Sequence, residues 1–167
     1  HGRDTHGGGI NIWGRNSRLD NLQAAFLRVK LPYVEDEIEH RRKIASIYDM
    51  GLRDISELSL PPFQDDDDHF DVFQNYELEA DNRDELIEHL SSRDIGTILQ
   101  WGGHAVHQFS DLTTPTSLPQ TELIMARSFL LPMNTSLSQD EAAYIVAAIR
   151  EFFGLKPLSE SVIETLV

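Results

Sequence analysis

At 167 residues the chain is long enough for one domain with its own apolar core, or for one compact domain plus an arm. Its 28 acidic residues outweigh 14 basic ones, giving a formal net charge of −14. That argues against nucleic acid and anionic membranes as partners, because both need a basic footprint. Cysteine is absent, which excludes disulfides, thiol catalysis and cysteine-bound zinc. No apolar run approaches the ~18 residues that span a bilayer, and no signal-peptide pattern is visible.

The chain opens on HGRDTHGGG rather than on Met, so it is expected to be a piece of something longer. Residues 1–16 are too glycine-rich for a helix. His1, Asp4 and His6 lie there without a third ligand at fixed spacing, and read as loop residues rather than a metal site. Ser17, with Asp20 three residues on, reads as a capping box and predicts a helix from about Arg18 to near Pro32. Leu19, Leu22, Phe26 and Val29 give it an apolar face. Arg15, Asn16 and Arg18 sit at its N-terminus, where free backbone N–H groups suit an anionic ligand, phosphate above all. The plain alternative is a surface loop whose arginines meet solvent or a carboxylate.

A second helix is predicted from about Pro32 to Gly51, with Leu52 extending it. Val34, Ile38, Ala45, Tyr48 and Leu52 form its inner face, beside Ile44 and Ile47, and Glu37–Arg41 and Glu39–Lys43 are i,i+4 ion pairs. Leu58–Leu60 reads as a short strand stopped by Pro61 and Pro62, and Asp65–Asp68 as a solvated acidic loop without the spacing of a calcium site. Phe70–Ala80 alternates as a strand with an irregularity near Gln74. Asn82 with Glu85 opens a helix through about Arg93, and Ile95–Trp101 is the next predicted strand. The loop Gly102–Phe109 carries His104 and His107, an H-x-x-H pair better suited to facing a ligand cleft than to holding a metal. Ser117 is expected to cap a helix through about Phe129, with Leu123, Ala126 and Leu130 on one side, followed by an extended Leu131-Pro132-Met133. Ser138 and Glu141 form another capping box, for a helix burying Ala142, Ile145, Val146, Ile149 and Phe152 and ended by Gly154. The tail from Lys156 is an arm with a short helix predicted at Ser161–Leu166. The order of elements predicts a small α+β fold, with a few-stranded, mostly antiparallel sheet and helices packed on it.

The run from Gly14 through Arg15, Asn16, Ser17, Arg18 and Leu19 to Gln23, Ala24 and Ala25 resembles the G-x-N-x-R-…-Q-A-A signature of the DegT/DnrJ/StrS-type sugar aminotransferases. Arg41-Arg42, Ile44-Ala45 and Tyr48 are similar to that family's R-R-x-I-A-x-x-Y helix. Ile95-Gly96-Thr97, His107 and Leu131-Pro132-Met133 extend the likeness over nearly the whole chain. The resemblance implies the small C-terminal domain of an aspartate-aminotransferase-like, fold-type-I enzyme. It implies a cytoplasmic homodimer, paired through the first helix region, that uses pyridoxal 5'-phosphate to move an amino group from glutamate to a keto sugar nucleotide. It implies that Asn16 touches the cofactor phosphate in the neighbouring subunit's site, and that Arg18, Trp101 and His107 lie at the substrate. Two departures from the family pattern, Ser17 in place of an aromatic residue and Trp101-Gly102-Gly103 before the histidine, fall where substrate contacts are expected.

Residues 1–31 are then expected to link to a larger cofactor-binding domain, 32–155 to form the small domain, and 156–167 to be a tail. The only lysines are Lys30, Lys43 and Lys156, on predicted helices or in the tail. None has the desolvated setting a Schiff-base lysine needs. The chain is therefore expected to supply one side of an active site, to contain no catalytic residue of its own and to be inactive alone, the lysine-bearing part preceding His1. Two other readings are a non-catalytic α+β module for dimerisation or ligand sensing, and a metal-dependent hydrolase built on His104, His107 and the aspartates.

Overall fold

The computed structural model describes residues 20–63, 65–66 (backbone only), 69–109 and 116–157. Asn16, Ser17, Arg18 and the predicted helix at 161–166 lie outside the described residues. The chain divides into two units, His1–Glu35 and Asp36–Val167.

In the first unit, α1 (Asn21–Lys30) starts about three residues later than the sequence suggests. Asp20, expected in the first turn, is instead the extended cap (φ −77°, ψ 154°), and its N–H donates to Gln23 Oε1 at 3.2 Å. Aspartate is as good a cap as serine, and Gln23 completes the box. None of the α1 residues is buried: Leu22, Phe26 and Val29 are 68%, 64% and 69% exposed. Pro32 lies in a single 3-10 turn, Leu31–Tyr33, from which α2 (Val34–Leu52) starts.

The second unit is built on a three-stranded antiparallel sheet of β1 (Leu58–Ser59), β4 (Tyr76–Ala80) and β5 (Ser128–Leu131), in the order β1-β4-β5. Leu78 pairs with Phe129 at its centre. β2 (Asp65–Asp66) and β3 (His69–Phe70) form a separate antiparallel pair, so the first two aspartates of the acidic run belong to a ladder rather than a loop. The strand expected over Phe70–Ala80 breaks between β3 and β4, where Phe73 takes φ 47° and buries its ring against Phe63 and Tyr76. Side-chain burial there outweighs continuous pairing.

Three helices supply the core together with β4 and β5: α2, α3 (Arg83–Ser91) and α5 (Gln139–Phe152). Ile44, Tyr48, Leu52, Leu78, Leu86, Leu90, Phe129 and Ile149 are all buried, each aliphatic or aromatic side chain contributing roughly 1.5–3 kcal/mol. The Ser138–Glu141 box forms as expected: Glu141 N–H donates to Ser138 Oγ at 3.2 Å and Ser138 N–H to Glu141 Oε2 at 2.7 Å. Gly154, at φ +69°, ends the helix in a conformation that disfavours a side chain. Arg150 is buried and ties that end down: its guanidinium donates to the Gly51 carbonyl (2.8 Å), both Asp54 oxygens (2.6 and 3.0 Å) and the Lys156 carbonyl (2.8 Å). α4 (Pro119–Arg127) differs from expectation. It ends before β5, and Leu123 is 51% exposed rather than inward. The mostly antiparallel α+β class holds; the Ile95–Trp101 strand does not. There the chain makes one bridge, Ile98 with Leu130, and then turns.

Candidate functional site

The turn after that bridge shapes the site. Ile98 N–H donates to the Leu130 carbonyl at 3.2 Å, and Leu130 N–H returns the bond at 2.8 Å. Three consecutive residues then adopt left-handed backbone: Trp101 (φ 52°), Gly102 (φ 68°) and Gly103 (φ 77°). The glycines do so freely; a tryptophan there stores roughly 1–3 kcal/mol of strain. The strained turn presents the indole outward, 79% exposed. Beneath it lies a cavity of about 340 Å³ lined by Trp101, His104, Ala105, Val106, Phe109 and Met125. The one titratable side chain among the described residues of that lining, His104, turns Nδ1 onto the Gly102 carbonyl at 2.9 Å. The cavity is therefore apolar, with an aromatic plane at its mouth, a setting for a planar or C–H-rich surface.

His107 sits in the next turn, Val106–Gln108, but not on the cavity lining. Its side chain is 9% exposed, with Nε2 3.2 Å from Glu122 Oε1. The same oxygen accepts the Leu118 N–H at 2.9 Å. The Leu118 N–H and then His107 hold the Glu122 carboxyl below the usual carboxylate range. Glu122 thus caps α4 and braces the cavity wall from behind, with the acidic group at the positive end of the helix. Sequence reading missed both Glu122 and Met125, because α4 meets this loop only in three dimensions. The signal for Glu122 was an acid in the first turn after Pro119.

Of the residues expected at a site, the structure brings Trp101 and His107 into one loop, one facing the cavity and one behind it; Asn16 and Arg18 are outside the described residues. The two imidazoles of the H-x-x-H pair face different partners. Among the described residues no cluster of three or more His, Asp or Glu side chains offers metal geometry. All three lysines are exposed, and Lys43 Nζ lies 2.9 Å from Glu39 on the outer side of α2. No described helix is long and apolar enough to cross a membrane.

The profile of the DegT/DnrJ/EryC1/StrS aminotransferase family matches residues 1–150. The chain belongs to this family. Among sugar aminotransferases of known sequence, it is 37% identical over 145 residues to the dTDP-3-amino-3,4,6-trideoxy-alpha-D-glucose transaminase of Micromonospora megalomicea subsp. nigra, covering 83% of this chain and 38% of that protein. It resembles the crystal structure of a DegT DnrJ EryC1 StrS aminotransferase from Brucella abortus with a TM-score of 0.75 and 31% identity, over 92% of this chain and 41% of that one. It matches S. venezuelae DesV, solved in complex with a ketimine intermediate, with a TM-score of 0.75 and 28% identity, over 89% and 40% of the two chains. The chain spans about two fifths of the length of the relatives it matches. Within the family pattern, Arg41, Arg42 and Tyr48 of the R-R-x-I-A-x-x-Y helix all lie on α2, and all three donate to carbonyls of loops beside the sheet.

Proposed function

We propose that this chain is the C-terminal part of an aminotransferase that uses pyridoxal 5'-phosphate to transfer an amino group, from glutamate, to a keto sugar carried by a nucleotide. The family match over residues 1–150 carries this reading. The sugar substrate named for the Micromonospora relative and the intermediate bound in DesV support it. On this reading residues 1–31 join the small domain, 32–155, to a larger cofactor-binding domain, and 156–167 are a tail. The first-helix region is the contact of a cytoplasmic homodimer, which would cover the exposed Leu22, Phe26 and Val29.

The described residues do not fit the cofactor by themselves. A lysine that holds pyridoxal phosphate needs a desolvated pocket and an oriented amine, and Lys30, Lys43 and Lys156 are all exposed. The amine belongs to residues outside this sequence, and this chain alone is expected to be inactive. What it supplies is a substrate wall. Trp101 meets the substrate through its exposed indole, and His107 holds that loop in place through Glu122. Asn16 is assigned to the cofactor phosphate across the dimer, and Arg18 to the substrate beside it.

The test is turnover by the full-length protein. With pyridoxal phosphate, glutamate and a nucleotide-linked keto sugar, 2-oxoglutarate and amino sugar are expected in equal amounts. No product across a panel of keto-sugar nucleotides contradicts the reading. Asn16→Ala is expected to lose cofactor on dialysis; visible cofactor absorbance retained as in the wild type refutes the phosphate assignment.

A further inference from the structure

A second cavity, of about 520 Å³, opens at one end of the sheet. Gln74 and Asn75 ahead of β4, Thr97 beside the Ile98 bridge, and Pro132 and Asn134 beyond β5 are among its lining residues. Among the described residues no charged side chain lines it, in a chain of which 25% is charged. The side chains of Gln74, Asn75 and Thr97 make no hydrogen bond among the described residues. Asn134 Oδ1 accepts the Ser136 N–H at 2.9 Å, which fixes the amide and leaves its NH₂ group as a donor.

The walls of this groove are held from behind by α2. Arg42 Nη1 donates to the Asp71 carbonyl at 2.6 Å and Arg41 Nε to the Val72 carbonyl at 3.2 Å, just ahead of Gln74. The Tyr48 hydroxyl donates to the Pro132 carbonyl at 2.8 Å, and His40 Nε2 to the Leu137 carbonyl at 2.8 Å. Four side chains of one helix therefore pin the two loops that carry Asn75 and Asn134. A groove with fixed walls and unpaired neutral donors and acceptors is preorganised for a polar, uncharged ligand.

We propose that this groove is the subsite for the hydroxyl-bearing sugar ring, with Asn75, Thr97 and Asn134 as its specificity-determining residues. The inference rests on the nucleotide-sugar reading given above. A sugar hydroxyl donates and accepts at once, and so do the amide and hydroxyl groups around the groove. A phosphate or a sugar carboxylate would enter without a counter-charge and lose its hydration, so the groove selects a neutral ring. The segment that gives Thr97 to this groove also gives Trp101 to the apolar cavity. The two residues are separated by at most ~14 Å of extended chain. One ligand with a planar apolar part and a hydroxylated part can engage both.

The experiment is steady-state kinetics of the full-length protein with the keto-sugar nucleotide varied. Thr97→Val and Asn75→Leu are each expected to raise the KM for the sugar nucleotide about three- to tenfold, with kcat within about twofold and the KM for the amino donor unchanged. Thr97→Ser, which keeps the hydroxyl, is expected to stay near the wild type, and all three variants to melt with it. An unchanged sugar-nucleotide KM in Thr97→Val and Asn75→Leu overturns the proposal. So does a fall in melting temperature or a loss of the oligomer, because the groove would then be filled by another part of the protein or a second copy. If the wild type shows no turnover, calorimetric titration with the same sugar nucleotide separates the two ideas. Binding that Asn75→Leu weakens keeps the groove and removes the reaction, and no binding at all removes the groove. Turnover indifferent to all three variants keeps the reaction and removes the groove.

Discussion

Helices α1 and α5 carry the same kind of apolar stripe and end in opposite surroundings. In α5, Ala142, Ile145, Val146 and Ile149 are buried against the sheet and its neighbouring helices. In α1, Leu22, Phe26 and Val29 remain mostly exposed. Periodicity predicts that a helix has an inner face; it does not say what that face meets. The buried stripe stabilises this chain, whereas the exposed one is left uncovered among the described residues. The same division runs through the site, where Trp101 is exposed and strained while Tyr48, behind the loops, is buried and hydrogen-bonded.

Mutations should separate the two stripes. The largest effect is expected for Ile149→Ala, at roughly 2–5 kcal/mol of unfolding free energy in urea, from lost burial and the cavity left behind. Phe26→Ala in this same chain is expected to cost under ~0.5 kcal/mol, as surface changes usually do. Equal costs would break the comparison. In the full-length protein the proposed dimer contact predicts that Phe26→Ala instead weakens self-association, read by sedimentation at falling concentration.

Arg150→Met comes next, at roughly 1–3 kcal/mol, because the Gly51 and Lys156 carbonyls and Asp54 lose their donor. Its effect should depend on pH. The hydrogen bond from Arg150 holds the Asp54 carboxyl below its ordinary range. A carboxylate depressed in the folded state contributes stability that is present above its unfolded value and lost as pH falls through the lowered folded one. The acid limb of the stability profile should therefore be shallower in Arg150→Met than in the wild type; parallel limbs would contradict the assignment. Ser138→Ala should cost about 1 kcal/mol, from loss of the cap of α5. The least effect is expected at Glu39→Gln, whose exposed pair with Lys43 should leave the urea midpoint nearly unmoved.

Much of the fold could be read from local signals. The Ser138–Glu141 box, Gly154, the break at Pro32 and the Glu39–Lys43 pair each follow from residues within one or two turns of each other. The failures are long-range. Ile95–Trp101 has strand composition but among the described residues pairs only with Leu130, and three left-handed residues then divert it. Phe73 breaks a pattern that alternates well in sequence because its ring is buried. At the candidate site, the resemblance pointed to Trp101, and the structure puts it on the cavity lining. Its companion Met125 lies 24 positions on, and Glu122 lies 15 positions beyond His107. No periodicity joins such residues.

The central claim is that this chain forms one wall of a site whose reactive amine it does not contain. Borohydride reduction of the full-length protein carrying pyridoxal phosphate, followed by peptide mass mapping, tests that most directly. The account predicts a single modified lysine outside the sequence described here, with Lys30, Lys43 and Lys156 unmodified. Stoichiometric modification of any of those three would contradict it.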